Sequence, residues 1–320
     1  MDFHVDLGWA AHAKHASLLD EARDASLARL VLGEVGTLVV PLFIEGGYAK
    51  TPAQARAAYD ATFASVSSLF RREGKGVIGA PLSRESRKIR IRISFEGSDG
   101  FSDSPDAAVA WLRRGACLFG LVHSRTNALG GASQDPDRKK RLVGLTATGK
   151  GLAERLVQEG ALLDVAHASD RTFDDLAAIA ERAGAPLVDS HTGVRALVAI
   201  DRNLDDARIV RVARSGGLVA LSLHSGHVSS RPGEQASLSD YVAHIEHVRR
   251  LVGASHVGIG SDLEGAIQLP RDVPGAAVWP TLGSELARRG WTTDELGALF
   301  HGNADRVFGW SEAHGCGRDR

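Results

Sequence analysis

This sequence has few cysteines, almost no net charge and no long apolar runs. Only two cysteines, Cys117 and Cys316, occur among 320 residues, and their wide spacing predicts neither a disulfide framework nor a thiolate zinc site. The formal net charge of -1 gives no whole-molecule field that would attract nucleic acid or an anionic membrane. No segment has the apolar length to span a bilayer, and no secretion signal opens the chain. These features predict a cytoplasmic protein that binds neither nucleic acid nor membrane.

Short apolar segments, in contrast, are abundant, and they alternate with stretches of helical character. Hydrophobic residues make up 43% of the sequence, enough for a full core. Segments such as GTLVVPLF and GGLVALSLH are apolar throughout, as expected for parallel strands covered on both faces. Stretches such as PAQARAAYDATFASVSSLF and DRTFDDLAAIAERAG separate them with the spacing of helices. Counting FHVDL as the first strand and HVGIGSD as the last gives eight strands in repeated βα order.

This order predicts an α/β fold of the (β/α)8 TIM type. We expect a single barrel domain over residues 1–312 and a short C-terminal tail over residues 313–320. Helix-start signals near Ser104, Asp170 and Ser239 favour one continuous barrel over two domains. The less regular stretches 98–105, 128–143 and 264–278 follow strand ends, where a barrel enzyme carries its substrate loops.

Histidines and carboxylates recur at the ends of the predicted strands. In a barrel of this type all strand ends meet on one rim, which is the face that carries active sites. A single histidine there is more often a hydrogen-bonded framework residue than a ligand, but burying several imidazoles and carboxylates together without a cation is costly. The residues concerned are His4, Asp6, Glu96, His123, His167, His191 and Asp262.

Their chemistry predicts a metal centre on that rim. Histidine and carboxylate ligands without a thiolate suit zinc or a similar divalent ion. His4 and Asp6 lie two apart on a strand, so both side chains can face the barrel mouth. Glu96 is the acidic residue able to bridge two ions through its two oxygens. The sequence therefore predicts a binuclear centre with one ion held by His4, Asp6 and Glu96. The other ion is held by Glu96, His167 and His191.

The same segments resemble, in order, the membrane (renal) dipeptidase family of metallopeptidases in the amidohydrolase superfamily. The resemblance covers most of the chain and includes FHVDLGW, FEG, LVHSRTN, GLTATGKGLAERLVQEGALLDVAHASD, PLVDSHTGVRAL, DRNLDD, HVGIGSDLEG and LARRGWTTDELGALFHGNADRVF. Eight matches in the same order are far more specific than a His-x-Asp pair alone.

The resemblance implies a role for each matched residue. His4, Asp6, Glu96, His167 and His191 match the ligands of two zinc ions, with Glu96 as the bridge. His123 matches a residue that binds the substrate carbonyl or its tetrahedral intermediate, and Arg202 one that holds the terminal carboxylate of the substrate. Asp262 matches the acid/base residue beside the metal-bound water. The resemblance also implies a homodimer.

Several residues depart from the family pattern or lie outside this scheme. Gly97, Ser98 and Asp99 follow Glu96 where the family commonly has Gly-Gly-His, and Glu264 replaces a second aspartate. Loops after the third and eighth strands look short, which predicts a more open pocket. Two further histidine pairs have no place among the metal ligands. His224 and His227 end the seventh predicted strand and could line the pocket, whereas His244 and His247 are expected on the solvated side of a helix.

We therefore expect a binuclear zinc-dependent dipeptidase that cleaves dipeptides through a metal-bridging hydroxide. Its catalytic residues are Asp262 and His123, and its substrate-binding residues are His123 and Arg202. Other divalent ions suit the same donors. One alternative is hydrolysis of another small amide with a free carboxylate, such as an N-acyl amino acid, or of a lactam. A third hypothesis, an inactive ligand-binding barrel, is disfavoured because every matched position holds a suitable residue type.

Overall fold

A computed structural model places seven parallel strands in one curled sheet. It describes residues 1–44, 49, 51–82, 89–231 and 236–318. Each strand pairs with its neighbours in chain order, as expected when every strand is followed by a crossover on the same side. The strands are β1 Thr37–Leu42, β2 Arg90–Phe95, β3 Leu118–Gly120, β4 Leu162–Asp164, β5 Leu187–Thr192, β6 Leu218–Leu221 and β7 Val257–Ile259.

Helices surround this sheet. In chain order they are α1 Leu7–Ala13, α2 Leu27–Leu32, α3 Pro52–Glu73, α4 Pro105–Arg114, α5 Ala147–Gln158, α6 Asp170–Ala183, α7 Asp206–Arg214, α8 Ser225–Val228, α9 Leu238–Val252, α10 Trp279–Arg288, α11 Thr293–Gly297 and α12 Asn303–His314. The predicted helix starts are found within two residues. Ser169 caps α6 by accepting from the N–H of Thr172, and a capping box joins Ser237 to Asp240 at α9.

The predicted first strand, FHVDL, is reduced to a short bridging segment. Asp2 pairs with Leu38 of β1, and Val5 pairs with Leu263 beyond β7, each as an isolated parallel bridge. The backbone N–H of Val5 donates to the carbonyl of Val39 at 3.0 Å, and that of Phe3 donates to Ile259 at 2.8 Å. The segment therefore closes the gap between the two edge strands. The TIM-type fold is confirmed, but the predicted first strand forms only isolated bridges and is not a regular strand.

Burial explains why the strands are apolar throughout. All six residues of β5 are buried, and only Thr37 of β1 is partly exposed, because one strand face meets the barrel interior and the other meets the helices. Aromatic rings fill the space between β2 and its covering elements. The ring of Phe95 packs edge-on against Tyr59 of α3 and stacks on Phe119 of β3. This layered packing fixes the strand ends against each other.

The prediction that the two cysteines do not form a disulfide is wrong. Cys117, just before β3, and Cys316, just after α12, form a disulfide across 199 residues of sequence. Both side chains are buried. The wide spacing gave no sign of the pair, because the barrel brings distant segments together. Because structural disulfides are rare in reducing compartments, the cysteines do not support the predicted cytoplasmic location.

The C-terminal segment continues the barrel past residue 312. Helix α12 ends at His314, and the N–H of Gly317 donates to the carbonyl of Leu112 in α4. Only residues 319–320 of the predicted tail lie outside the described ranges. Among the helices that the structure describes, none combines the length and the apolar content needed to cross a membrane.

Candidate metal centre

The carboxyl ends of the strands bring all seven predicted rim residues together. Asp6 is the residue before α1, Glu96 follows β2 directly, and His191 lies inside β5. His123, His167 and Asp262 each lie three residues beyond a strand, in the loops after β3, β4 and β7. Apart from His123, every one of these residues is at most 9% exposed. The centre is therefore a buried cluster of four imidazoles and three carboxylates.

Glu96 lies at the middle of the cluster. Its Oε1 is 2.9 Å from His167 Nε2, 3.3 Å from His191 Nε2 and 3.5 Å from His123 Nε2. Its other oxygen, Oε2, is 3.6 Å from His4 Nε2. His4 Nε2 is also 3.6 Å from Asp6 Oδ1. The two oxygens of one carboxylate thus face two different sets of ligand atoms, which is the arrangement that a bridging glutamate requires.

Three groups of side chains could each hold a cation, since one donor atom from every member lies within 4.8 Å of the others. The groups are His4, Glu96 and His191; Glu96, His123 and His167; and His4, Asp6 and Asp262. Glu96 and His4 are each shared by two groups. The predicted halves therefore overlap in space, with His4 close to both His191 and Asp6.

The backbone takes unusual conformations to bring two of these side chains inward. His167 has φ 62° and Asp262 has φ 66°, which is the left-handed region that L-residues rarely occupy. Such conformations cost about 1–3 kcal/mol each and cluster at functional sites. Gly265 supports the second of them by leaving room. A Cβ at this position would come 2.4 Å from Asp6 Oδ2 and 2.5 Å from Asp262 Oδ1, so any larger residue would displace the two carboxylates.

Burial and mutual charge shift the pKa values of the cluster in opposite directions. Burial pushes the pKa of His4 down, but the carboxylates of Glu96 and Asp6 raise it to about 10. Burial raises the pKa of Asp6 well above its ordinary value. For Glu96 burial acts in the same sense, yet His123 and His4 hold the pKa well below its usual range. Burial thus favours the protonated form of Asp6, whereas the neighbouring carboxylates favour the protonated form of His4.

The donor set fits divalent cations. His4 Nε2 and Asp6 Oδ1 are buried without a hydrogen-bond partner, although both face the cluster. Gln134 Oε1 lies 2.9 Å from His167 Nδ1, an orientation in which that nitrogen carries the ring proton. His167 Nε2 then directs a lone pair at Glu96, an acceptor, and burial lowers its pKa well below the ordinary value. Lone pairs and carboxylate oxygens that point at one another are stabilised by a cation between them.

The cluster opens into a cavity of about 290 Å³. Beyond the cluster, its walls include the side chains of Trp9, Phe43, Ser124, Gln134, His224 and His227, together with residues 265–267. The side chain of His123 is 19% exposed and its ring contacts Phe43 edge-on at 5.2 Å. The cavity thus has one polar end at the cluster and an apolar side at Trp9 and Phe43.

Arg202 lies behind this cavity instead of lining it. Its side chain is buried, its NH2 group donates to the backbone carbonyl of His191, and its Nε has no hydrogen-bond partner. Of the eight predicted site residues, Arg202 and His4 are the two that do not line the cavity, although His4 contacts Asp6 and Glu96 of the wall. Its positive charge nevertheless lowers the pKa of His191, after the larger effects of burial and of His4.

The departures near Glu96 and Asp262 have structural partners. Ser98 Oγ donates to the carbonyl of Gly120 at 2.8 Å, and Asp99 Oδ2 accepts from Asn127 Nδ2 at 3.0 Å. The carboxylate of Glu264 turns away from the cluster, because it binds the guanidinium of Arg23 and accepts from the N–H of Ala25. These residues support the loops around the centre.

Sequence reasoning missed Gln134, the partner of His167, and gave no role to Ser190, whose Oγ is 2.8 Å from His191 Nδ1. Gln134 lies within the irregular stretch 128–143, which was expected to carry substrate loops, but a glutamine has no motif of its own. Ser190 is adjacent to the predicted ligand His191. This position in the sequence was the one signal that could have identified it as a hydrogen-bond partner.

Known proteins resemble this chain in sequence. Dipeptidase aclJ of Aspergillus oryzae is 28% identical over 222 residues, which cover 69% of this chain and 51% of the relative. Dipeptidase 3 of Rattus norvegicus is 30% identical over 167 residues, which cover 52% of this chain and 33% of the relative. The chain thus spans about half, or only a third, of the length of these relatives.

Solved structures resemble it in fold over almost the whole chain. Dipeptidase AC, described as an M19 metallopeptidase, superposes with a TM-score of 0.82 at 21% identity and covers 99% of this chain and 98% of its own. A Rhodobacter sphaeroides metallopeptidase, liganded with a phosphinate mimic of the dipeptide L-Ala-D-Ala, gives a TM-score of 0.80 at 21% identity, with 97% of both chains covered. The sequence pattern of one family matches residues 1–315. The chain therefore belongs to the membrane dipeptidase family, peptidase family M19.

Proposed function

We propose that this protein is a dipeptidase with two zinc ions at the Glu96 cluster. The observation that carries the proposal is the position of Glu96, whose Oε1 faces nitrogens of His167 and His191 while its Oε2 faces His4 Nε2. The family membership, and the dipeptide mimic bound by the Rhodobacter sphaeroides neighbour, favour a dipeptide substrate.

Five residues would hold the two ions: His4, Asp6, Glu96, His167 and His191. Bound ions would lower the pKa of a nearby water and polarise the carbonyl of the scissile bond. The five donors are nitrogen and oxygen atoms without a thiolate, which suits zinc and also other divalent metals.

Asp262 is the proposed acid/base residue. Burial raises the pKa of its carboxyl to about 6, despite the opposing effect of His4, so both protonation states are accessible near neutral pH. Its Oδ atoms border the cavity beside Asp6 and can take a proton during attack and return it to the leaving amine. A carboxylate with its ordinary, lower pKa would take up that proton less readily.

His123 is the proposed partner of the substrate carbonyl. Its side chain is the most exposed of the cluster and borders the cavity, so it can reach a bound substrate. A donor at this place would stabilise negative charge that develops on the carbonyl oxygen. Arg202, behind the wall, would favour the free carboxylate of the substrate through its positive charge. The volume of about 290 Å³ suits a short substrate.

The test is release of free amino acids from a panel of dipeptides by chelator-stripped protein, with and without added zinc. We expect zinc-dependent release, and an Asp262→Asn variant should lose about 10²–10⁴-fold in kcat. Asp305→Asn, at an exposed position on α12, is the matched control and should keep full activity. Zinc content is measured for every variant. An N-acyl amino acid and a lactam belong to the same panel.

Two outcomes would reject the proposal. Release that does not need metal would exclude the metal centre as the catalyst. No dipeptide cleavage by protein that holds two zinc ions would favour the other amides or a binding role. The homodimer and the cytoplasmic location stay predictions, which gel filtration and cell fractionation can test.

A further inference from the structure

The loop that follows β7 is attached to a segment near the start of the chain. The guanidinium of Arg23 binds Glu264 Oε2, and the N–H of Ala25 donates to Glu264 Oε1 at 2.8 Å. Both oxygens of this carboxylate are therefore held by one short segment. Building on the proposed dipeptidase function, we propose that Glu264 and Arg23 are positioning residues. They hold the loop so that the carboxyl group of Asp262 stays at the cavity wall.

The first part of this loop forms one wall of the cavity. Asp262, Gly265, Ala266 and Ile267 all line it. Asp262 is the proposed acid/base residue, and the three residues after Glu264 face the space that a substrate would occupy. A displacement of the loop would therefore move the acid/base group and the wall together.

The backbone of this wall takes a conformation that the chain does not favour by itself. Asp262, Glu264 and Ala266 have φ values of 66°, 70° and 57°, so three alternate residues occupy the left-handed region. Side chains other than glycine rarely adopt this region, because their Cβ atoms crowd the following carbonyl oxygen. Such a conformation persists only where the surrounding structure fixes it. The loop therefore depends on contacts with neighbouring segments.

Backbone hydrogen bonds fix the beginning of the loop, and the side chain of Glu264 fixes the next residue. The N–H of Asp262 donates to the carbonyl of His4 at 2.9 Å, and the N–H of Asp6 donates to the carbonyl of Leu263 at 2.8 Å. Glu264 follows directly, with only 6% of its side chain exposed. Charge-assisted hydrogen bonds that are shielded from water in this way are stronger than those at the surface.

The segment that binds Glu264 also holds the far end of the same loop. The carbonyl of Asp24 accepts from the N–H of Ala276 at 2.8 Å. Gly275, with φ 61°, allows this close approach, because a Cβ there would come 2.2 Å from the carbonyl oxygen of Asp24. Ala25 itself is buried, so the segment is packed into the fold. Three consecutive residues, 23–25, thus attach both ends of the loop.

The first experiment measures kcat and KM for zinc-loaded variants on the dipeptide that wild type cleaves fastest. We expect Glu264→Ala to lower kcat about 10- to 100-fold, because a small misplacement of a reacting group causes a loss of this size. Arg23→Ala should lose less, since the bond from Ala25 remains, and Arg23→Lys should keep most of the activity because it restores a cation. Glu181→Ala removes a two-point ion pair with Arg211 between α6 and α7 and is the matched control.

A double-mutant cycle separates positioning from general stabilisation of the fold. It compares kcat of Asp262→Asn, of Glu264→Ala and of the protein with both substitutions. If Glu264 acts through Asp262, its replacement causes no further loss once Asp262 is asparagine. Losses that multiply would overturn the proposal, as would an unchanged kcat in Glu264→Ala. Arg23→Ala, the milder change, gives the same cycle if Glu264→Ala does not fold.

Hydrogen–deuterium exchange tests the hold on the loop without turnover. The backbone amides of residues 262–268 should exchange faster in Glu264→Ala than in wild type or in Glu181→Ala, because the loop opens more often when this anchor is lost. Faster exchange in a protein whose wild type cleaves no dipeptide would support the hold of Glu264 on the loop and reject the dipeptidase function. Unchanged exchange of these amides would overturn the proposal even if wild type is an active dipeptidase.

Discussion

At the scale of single residues, the orientation of His167 depends on a glutamine that no motif marks. Gln134 Oε1 is 2.9 Å from His167 Nδ1, so the ring presents Nε2 to Glu96. Without that partner the ring could turn and present either nitrogen to Glu96. The left-handed backbone at His167, with φ 62°, would then no longer place one defined nitrogen in the cluster. The residues of the buried cluster were predictable from residue type and strand position, but their hydrogen-bond partners were not, because Gln134 lies in an irregular loop.

Replacing Gln134 by alanine should weaken metal binding. We expect a loss of about 10–100-fold in zinc affinity, measured by competition with a chromogenic chelator. Gln134→Glu keeps an acceptor for the Nδ1 proton and should retain most of the affinity. Gln158→Ala, at an exposed position at the end of α5, is the matched control. Equal affinity for Gln134→Ala and wild type would show that the glutamine does not orient the ligand.

At the scale of elements, helix α9 shows where the sequence was misleading. His244 was expected on its solvated side, yet this residue is 1% exposed. The positions of Tyr241, Ile245 and Val248 already define the buried stripe of the helix, and His244 falls on that stripe by spacing. Histidine is a polar residue, so its type favoured an exposed position, whereas the helical spacing indicated a buried one. Its burial is explained by hydrogen bonds to the backbone of Val194 and Val228. Both residues lie outside α9, so the helix sequence alone could not indicate them.

The burial of His244 predicts a dependence of stability on pH. Burial lowers the pKa of His244 to about 4 from its ordinary 6.5, so the unfolded chain binds a proton in a range where the folded protein does not. This contribution is fully present above pH 6.5 and is lost as the pH falls toward 4, by up to about 3 kcal/mol. Chemical unfolding of metal-free wild type and His244→Gln at pH 7 and pH 5 should therefore give a shallower decline for the variant.

His301→Gln, at an exposed position between α11 and α12, should decline as wild type does. Parallel curves for His244→Gln and wild type would mean that other groups cause the acid sensitivity.

At the scale of the whole molecule, closure of the barrel accounts both for what could be predicted and for what could not. Repeated βα order and the ligand types at strand ends were sufficient for the fold and for the set of rim residues. The way in which the barrel closes was predicted only in part. Residues 2–5 were expected to form a strand, but they join β1 to the segment after β7 through isolated bridges. Closure also brings the last helix back against the sheet. The pairing of Cys117 with Cys316 across 199 residues follows from that return, and no local spacing could have predicted it.

The disulfide should stabilise the whole fold, because it joins the segment before β3 to the segment after the last helix. Its loop of 199 residues is long, and constraining such a loop in the unfolded chain contributes about 2–4 kcal/mol. We expect reductant to lower the free energy of unfolding of wild type by this amount, measured by chemical denaturation. The Cys117→Ala/Cys316→Ala double variant should resemble reduced wild type and should not respond to reductant. A thiol titration of the unfolded protein gives the matching covalent result, with no free thiol before reduction and two after it. Two free thiols in the untreated protein, or equal stability with and without reductant, would contradict the prediction that this bond ties the barrel together.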